Sequence, residues 1–210
     1  MSKTTEKVSK KAHGNTITLL LCMTFLSLYP LLTTGCSSRG YHFDSPESYK
    51  RAEWNKYLLK REFFTLDFFV IKDESHTPVF IVKGKIISIG DKLSLQDTSG
   101  NELAYISQRL FSFTPRYKIF RENEPTATIV KRITLFKPSY TIDVPGQDNY
   151  KVVGDFFKYE YTVTRNGEEV AYISKRFFSL PDSYGVSIKP GEDDILILSA
   201  VLVIDLVSKE

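Results

Sequence analysis

From Phe63 to Ile188 apolar and polar residues alternate with a period of two. Tyr159, Tyr161 and Val163 alternate with Glu160, Thr162 and Thr164, and Leu93 and Leu95 with Ser94 and Gln96. Such alternation predicts strands with one face inward and one outward. Turn signals recur at short spacing: Asp73 to Pro78, Thr98-Ser99-Gly100-Asn101, Asn123-Glu124-Pro125, Pro145-Gly146, Asn166-Gly167 and Pro181-Asp182. Asn166-Gly167 suits a type I′ hairpin, in which both central residues take positive φ. The pattern predicts an antiparallel all-β domain of roughly ten to twelve strands.

Two segments depart from this period. Ser45-Pro46-Glu47 reads as a helix start, with an N-cap, an N1 proline and an early acid. It predicts a short helix to about Leu58, with Trp54, Tyr57 and Leu58 on one face. At the other end, Glu192-Asp193-Asp194 precede Ile195–Val207, of which eleven of thirteen residues are apolar with no polar face. Acids before an apolar run suit a helix N-terminus, and a helix apolar all round is buried on all sides. At ~20 Å it is too short for a ~30 Å bilayer core. A buried strand is the alternative that its β-branched residues allow. A helix there needs a sheath, and a barrel of about twelve strands is wide enough to be one.

An internal repeat supports that picture. Residues 104–112 (AYISQRLFS) match 171–179 (AYISKRFFS) at seven of nine positions. Gly100, Glu102 and Tyr117 recur at the same spacing as Gly167, Glu169 and Tyr184, and Val82-Lys83-Gly84 recurs as Val152-Val153-Gly154. Two copies of about 65 residues imply two pseudo-symmetric halves that cover each other.

The first 35 residues are of another kind. Residues 1–15 are polar and basic, and residues 16–35 are uncharged and Leu-rich, the layout of a secretory signal. The run Leu32-Thr33-Thr34-Gly35-Cys36 resembles a bacterial lipobox, in which the chain is cut before a lipidated cysteine. Thr33 departs from that motif, whose corresponding position is usually aliphatic. The alternative is an uncleaved anchor, with Pro30 bending the span. Either reading exports the remainder and holds it at the cell membrane or outer membrane. The expected organisation is therefore a signal or anchor at 1–35, a tether with a short helix at 36–60, and the barrel domain at 61–208.

Charge strengthens this division. The chain carries 28 basic and 25 acidic residues. Four lysines against one glutamate in residues 1–35 account for the whole excess of +3, leaving 24 against 24 from Cys36 onward. A nucleic-acid partner thereby loses its main electrostatic support. Cys22 and Cys36 are the two cysteines, so the mature domain is expected to hold no internal disulfide and no cysteine-based metal site.

The chain carries few residues in patterns that chemistry requires. The histidines are His13, His42 and His76, too few and too early for a His-rich metal site. Gly84 and Gly90 lack the spacing of a phosphate loop. Asp143, Asp148 and Asp155 lack the ligand spacing of an EF-hand and read as solvated turn acids. Asp205, late in the apolar tail, reads as a structural group hydrogen-bonded at a barrel mouth. No catalytic residue, metal or cofactor is assigned. Basic residues beside aromatics recur: Arg109 with Phe111, Arg116 with Tyr117, Lys131-Arg132, and Lys175-Arg176 with Phe177-Phe178. Alternation alone would turn each aromatic inward and each base outward. The sharper reading makes Arg109, Lys131, Arg132, Lys175 and Arg176 contacts for anionic lipid headgroups.

Several of these runs carry a family resemblance. Val153-Gly154-Asp155-Phe156-Phe157, Tyr161-Thr162-Val163, Ile173-Ser174-Lys175, Asp182-Ser183-Tyr184-Gly185-Val186 and the closing Asp193-Asp194 to Asp205 resemble the LURP-one-related family. So do Val82-Lys83-Gly84-Lys85 and Pro115-Arg116-Tyr117. The family is similar in fold to the tubby C-terminal domain and to phospholipid scramblases. The resemblance implies a closed, tubby-like twelve-stranded antiparallel barrel around a hydrophobic C-terminal helix, no acid–base active site, and relatives that act at membranes. The function expected is a non-enzymatic, membrane-anchored binding or scaffold module at the cell envelope. It would contact anionic phospholipid or an envelope protein. Scramblase-like lipid movement, or a hydrolase using spatially paired carboxylates, is the alternative.

Overall fold

The computed structural model describes residues 51, 53–61, 67–84, 89–135, 137–155, 160–174 and 183–208. Residues 41–210 form one compact unit. Twelve strands follow in chain order: β1 (Asn55–Arg61), β2 (Asp67–Lys72), β3 (Pro78–Gly84), β4 (Lys92–Asp97), β5 (Glu102–Gln108), β6 (Arg116–Arg121), β7 (Glu124–Arg132), β8 (Ser139–Asp143), β9 (Tyr150–Asp155), β10 (Glu160–Arg165), β11 (Glu168–Ser174) and β12 (Ser183–Ile188). Each pairs antiparallel with its chain neighbours, and β12 pairs with β1 to close the barrel. Closure leaves no edge strand exposed. One helix, α1 (Asp194–Val207), ends the fold.

The repeat is visible in three dimensions. β5 and β11 carry its matched runs, and β6 and β12 follow them, so strands β1–β6 and β7–β12 form the two halves. The ladder shifts register at Leu95/Gln96 between β4 and β5, and again at Val163/Thr164 between β10 and β11. The two halves therefore share their bulge as well as their sequence. Asn166 and Gly167 have φ of 53° and 79°, as the predicted type I′ turn requires.

α1 lies inside the wall. Every residue from Leu196 to Asp205 is buried. Ten consecutive positions cover the whole circumference of a helix, so strands surround it on all sides. Its side chains meet the inward residues of the strands, among them Leu59, Phe69, Ile106, Ile119, Ile142 and Ile173, in one continuous core.

The first strand corrects the expected short helix. Residues 45–50 and Ala52 lie outside the described residues, but Asn55–Arg61 is a strand, so the barrel begins within the stretch assigned to the tether. Tyr57, Leu59 and Arg61 face inward while Lys56, Leu58 and Lys60 face outward. Trp54, Tyr57 and Leu58 therefore share no helical face. The physical reason is non-local: β1 supplies the ladder that both β2 and β12 need, and without it both would be open edges.

Candidate functional site

The antiparallel order sorts the connections between the two barrel ends. Tight turns follow the even strands, and α1 begins at that end. The β3–β4, β5–β6 and β7–β8 connections lie at the other, near the C-terminus of α1. The helix-start end is closed by paired charges. Asp193 caps α1 and accepts from Arg121 at 2.6 Å. Glu192 accepts from Arg165 at 2.7 Å and from Tyr150 at 3.0 Å. Asp194 accepts from Tyr57 at 2.6 Å.

At the opposite end Asp205, 1% exposed, accepts from the Tyr184 hydroxyl at 2.7 Å and pairs with Arg61. Burial, reinforced by the Asp205 charge, pushes the Tyr184 phenol well above its usual range. This agrees with a structural reading of Asp205 at the barrel mouth. Tyr117, the repeat counterpart of Tyr184, donates to Asp91 at 2.8 Å at the same end. Both halves thus tie a buried tyrosine to an aspartate there.

The bases on the wall above β6, β7 and β8 behave differently from those at the helix-start end. Tyr117 and Ile119 of β6 face inward and are fully buried, so Arg116 and Lys118 face outward. On β7, Ala127 and Ile129 face inward and Thr128, Val130 and Arg132 outward. Arg109, Arg116, Lys118 and Arg132 line an outer groove of about 400 Å³, with Asp143 as its one acid. Arg132 donates to the Thr141 hydroxyl at 2.7 Å and lies 3.9 Å from Asp143. Arg109, Arg116 and Lys118 make no side-chain ion pair among the described residues. Lys131 follows Ile129 on the inner face and emerges at the mouth. There it lines a second depression with Phe113, Ile133, Leu135 and Lys137.

Of the residues expected to contact anions, the structure brings Arg109 and Arg132 into one groove and places Lys131 beside it. Lys175, Arg176 and Cys36 lie outside the described residues, as do Phe177 and Phe178. Sequence reasoning misses Lys118, although its alternation with the inward Tyr117 and Ile119 is an available signal. One expectation is reversed. The aromatic partner of Arg109 is expected inward, yet Phe111 is fully exposed: residues two apart share a strand face, and both in fact lie beyond β5 in the β5–β6 connection.

The acids considered for calcium do not assemble. Asp148 accepts from Asn166 of the β10–β11 turn at 2.6 Å, Asp143 faces Arg132, and no metal-competent cluster occurs among the described residues. His76 is exposed in the β2–β3 turn, and His13 and His42 lie outside the described residues.

The LURP-one-related family model matches residues 56–205, which span β1 to the last turn of α1. The chain belongs to the LURP-one-related family. The uncharacterised protein YxjI of Bacillus subtilis (strain 168) is 33% identical over 152 residues, covering 71% of this chain and 91% of that protein. Protein LURP-one-related 15 of Arabidopsis thaliana is 24% identical over 161 residues, covering 68% of this chain and 74% of that protein. An X-ray structure of a protein from Arabidopsis thaliana aligns with a TM-score of 0.56 at 20% identity, covering 73% of this chain and 90% of that one. It shares the fold: a closed twelve-stranded barrel with a C-terminal helix.

Proposed function

We propose that this LURP-one-related chain is an exported, membrane-anchored binding module without catalytic activity, and that its outer groove engages anionic lipid headgroups. The observation that carries this reading is the contrast between the two sets of bases. Arg121 and Arg165 are paired with carboxylates at the helix-start end, whereas Arg109, Arg116 and Lys118 line an open groove without such partners among the described residues. A cation near an anionic membrane is worth about 1 kcal/mol, so a cluster of three or four binds usefully where one does not. The basic, Leu-rich leader and Cys36 supply the anchor in this reading, with the barrel outside the cytoplasm.

The test uses the soluble unit from Tyr41 onward. Its ladder closes within residues 55–188, and α1 fills it, so the part folds without the leader. Co-sedimentation with phosphatidylglycerol-containing vesicles is expected to exceed that with phosphatidylcholine alone and to weaken as salt rises. Arg116→Glu with Lys118→Glu is expected to weaken the preference markedly. Equal binding to both vesicle types at all ionic strengths would reject the lipid reading and leave an envelope protein as partner. For the anchor, intact mass from the membrane fraction is expected to show cleavage and an acyl-sized increment that Cys36→Ala loses.

A further inference from the structure

The large apolar side chains exposed among the described residues are Ile89, Leu110, Phe111, Phe113, Ile133 and Leu135. All six lie in connections at one end of the barrel. Phe111 and Phe113 are fully exposed in the β5–β6 connection, and Ile133 and Leu135 are 87% and 91% exposed in the β7–β8 connection. The two connections are neighbours because β6 and β7 pair, and the Lys131 amide donates to the Pro115 carbonyl at 3.0 Å to extend that pairing into them. They share a depression of about 430 Å³. Both are held in shape: the Ser112 hydroxyl donates to the Thr114 carbonyl at 2.6 Å, and the Thr134 hydroxyl to that of Lys137.

Phe111 also has a φ of 58°. A bulky residue in the left-handed region is disfavoured by sterics, and a bare phenyl ring by water. Neither folding nor solubility accounts for a phenylalanine here.

The charges around these tips give the partner. Lys131, Arg132 and Lys137 border the same depression, and Arg109 begins the β5–β6 connection. The opposite end carries Asp73, Glu74, Glu122, Asp148, Glu192 and Asp193; there Glu192, Asp193 and Glu74 are paired with Arg165, Arg121 and Lys56, while Asp73, Glu122 and Asp148 face no base in an ion pair among the described residues. The barrel is therefore polarised along its axis, basic where it is apolar and on balance acidic where it is not. Apolar tips ahead of a collar of bases fit a surface whose anionic layer lies above a hydrocarbon layer.

We propose that the barrel docks end-on to an anionic lipid bilayer. Phe111, Phe113, Ile133 and Leu135 enter the headgroup–acyl boundary, and Lys131, Arg132 and Lys137 rest at the phosphates. This rests on the membrane reading above and adds to it an orientation and a depth.

The experiment places a fluorescent reporter at each end of the full-length protein, reconstituted in phosphatidylglycerol–phosphatidylcholine vesicles with brominated acyl chains. Phe111→Trp reports the tips and Thr98→Trp, in the β4–β5 turn, the far end, each against the background of the single native Trp54. The Phe111→Trp emission is expected to shift to the blue and be quenched, while Thr98→Trp stays unshifted and unquenched. Equal behaviour of the two would overturn the proposal. In the soluble unit, Phe111→Ser with Phe113→Ser is expected to lower vesicle affinity at least tenfold at a salt concentration that screens the groove, with an unchanged thermal midpoint. Unchanged affinity would likewise overturn it. Salt-sensitive vesicle binding in which the Phe111→Trp emission stays unquenched would sink the end-on orientation and spare the headgroup reading. Loss of all vesicle binding by the wild-type unit would sink both.

Discussion

Tyr184 and Asp205 are joined by a 2.7 Å hydrogen bond that links the last strand to the last turn of the enclosed helix. Arg61, at the end of the first strand, takes the other carboxylate oxygen. One buried aspartate therefore fixes the helix to both strands at the seam where the barrel closes. Removing one member of a buried pair leaves the other charge uncompensated, at about 3–5 kcal/mol. Asp205→Ala is expected to lose stability of that order in chemical denaturation. Tyr184→Phe, which leaves the Arg61 pair in place, is expected to lose about 1–3 kcal/mol. Equal losses would mean that the tyrosine, and not the ion pair, holds the helix.

Alkaline pH tests the same packing. Burial pushes Tyr150 and Tyr172 up to about 12, with Glu192 adding to the shift at Tyr150 and Glu160 at Tyr172. Burial raises Tyr57, Tyr140 and Tyr184 further. Unfolded tyrosine titrates near 10. Each of these phenols therefore has a folded pKa above its unfolded one, and the folded state holds protons that the unfolded state releases. This contribution is complete below about pH 10 and is lost as pH rises through the folded values. The stability attributable to these tyrosines should be level up to about pH 10 and fall above it. Phenolate absorbance from the buried rings should rise together with loss of the β-sheet circular dichroism. A smooth titration near pH 10 with the sheet intact would contradict the burial.

How much of this could be read from the chain depends on whether the signal is local. Ile195–Val207 is legible as an enclosed helix because it has no polar face, and the 104–112 and 171–179 runs announce two halves because the repeat is nearly literal. β1 is not legible. Outward Leu58 interrupts its alternation, and the requirement that makes it a strand comes from β2 and β12, one of them more than a hundred residues away. The groove is legible only in part. Alternation predicts which way Arg116 and Arg132 face, but their meeting depends on the register of three strands. The exposed Phe113, Ile133 and Leu135 look like core residues in sequence, and only the fold shows that they sit in connections.

Gly154 supplies a packing test. It faces inward on β9, directly paired with Tyr161 on β10, and a Cβ there would stand 2.2 Å from the tyrosine ring. The ring is 2% exposed and has little room to move. Overpacking of this kind costs about 1–3 kcal/mol, and Gly154→Ala is expected near the top of that range by thermal or chemical denaturation. The other half offers the remedy, since Gly84 pairs with Leu93 at the corresponding place. Adding Tyr161→Leu to Gly154→Ala should recover part of the loss, a coupling that independent sites would not show.

Asp193 separates two contributions at the start of α1. Its carboxylate accepts from the Leu196 amide at 3.0 Å and from the Arg121 guanidinium at 2.6 Å. Its φ and ψ of −82° and 92° are those of an N-cap. Loss of a cap costs about 0.5–2 kcal/mol, whereas a half-exposed ion pair contributes about 0–1 kcal/mol and weakens in salt. Asp193→Ala removes both interactions and should cost about 1–2 kcal/mol. Asp193→Asn keeps an oxygen for the Leu196 amide and gives up only the charge, so its cost should stay below about 1 kcal/mol and shrink as salt is added. Urea midpoints at two ionic strengths, with an unchanged denaturant slope, distinguish the cases. If asparagine proved as damaging as alanine, and equally so in high salt, the cap would not be what secures the helix entry. The barrel wall around Leu196 and Ile197 would then hold α1 without it.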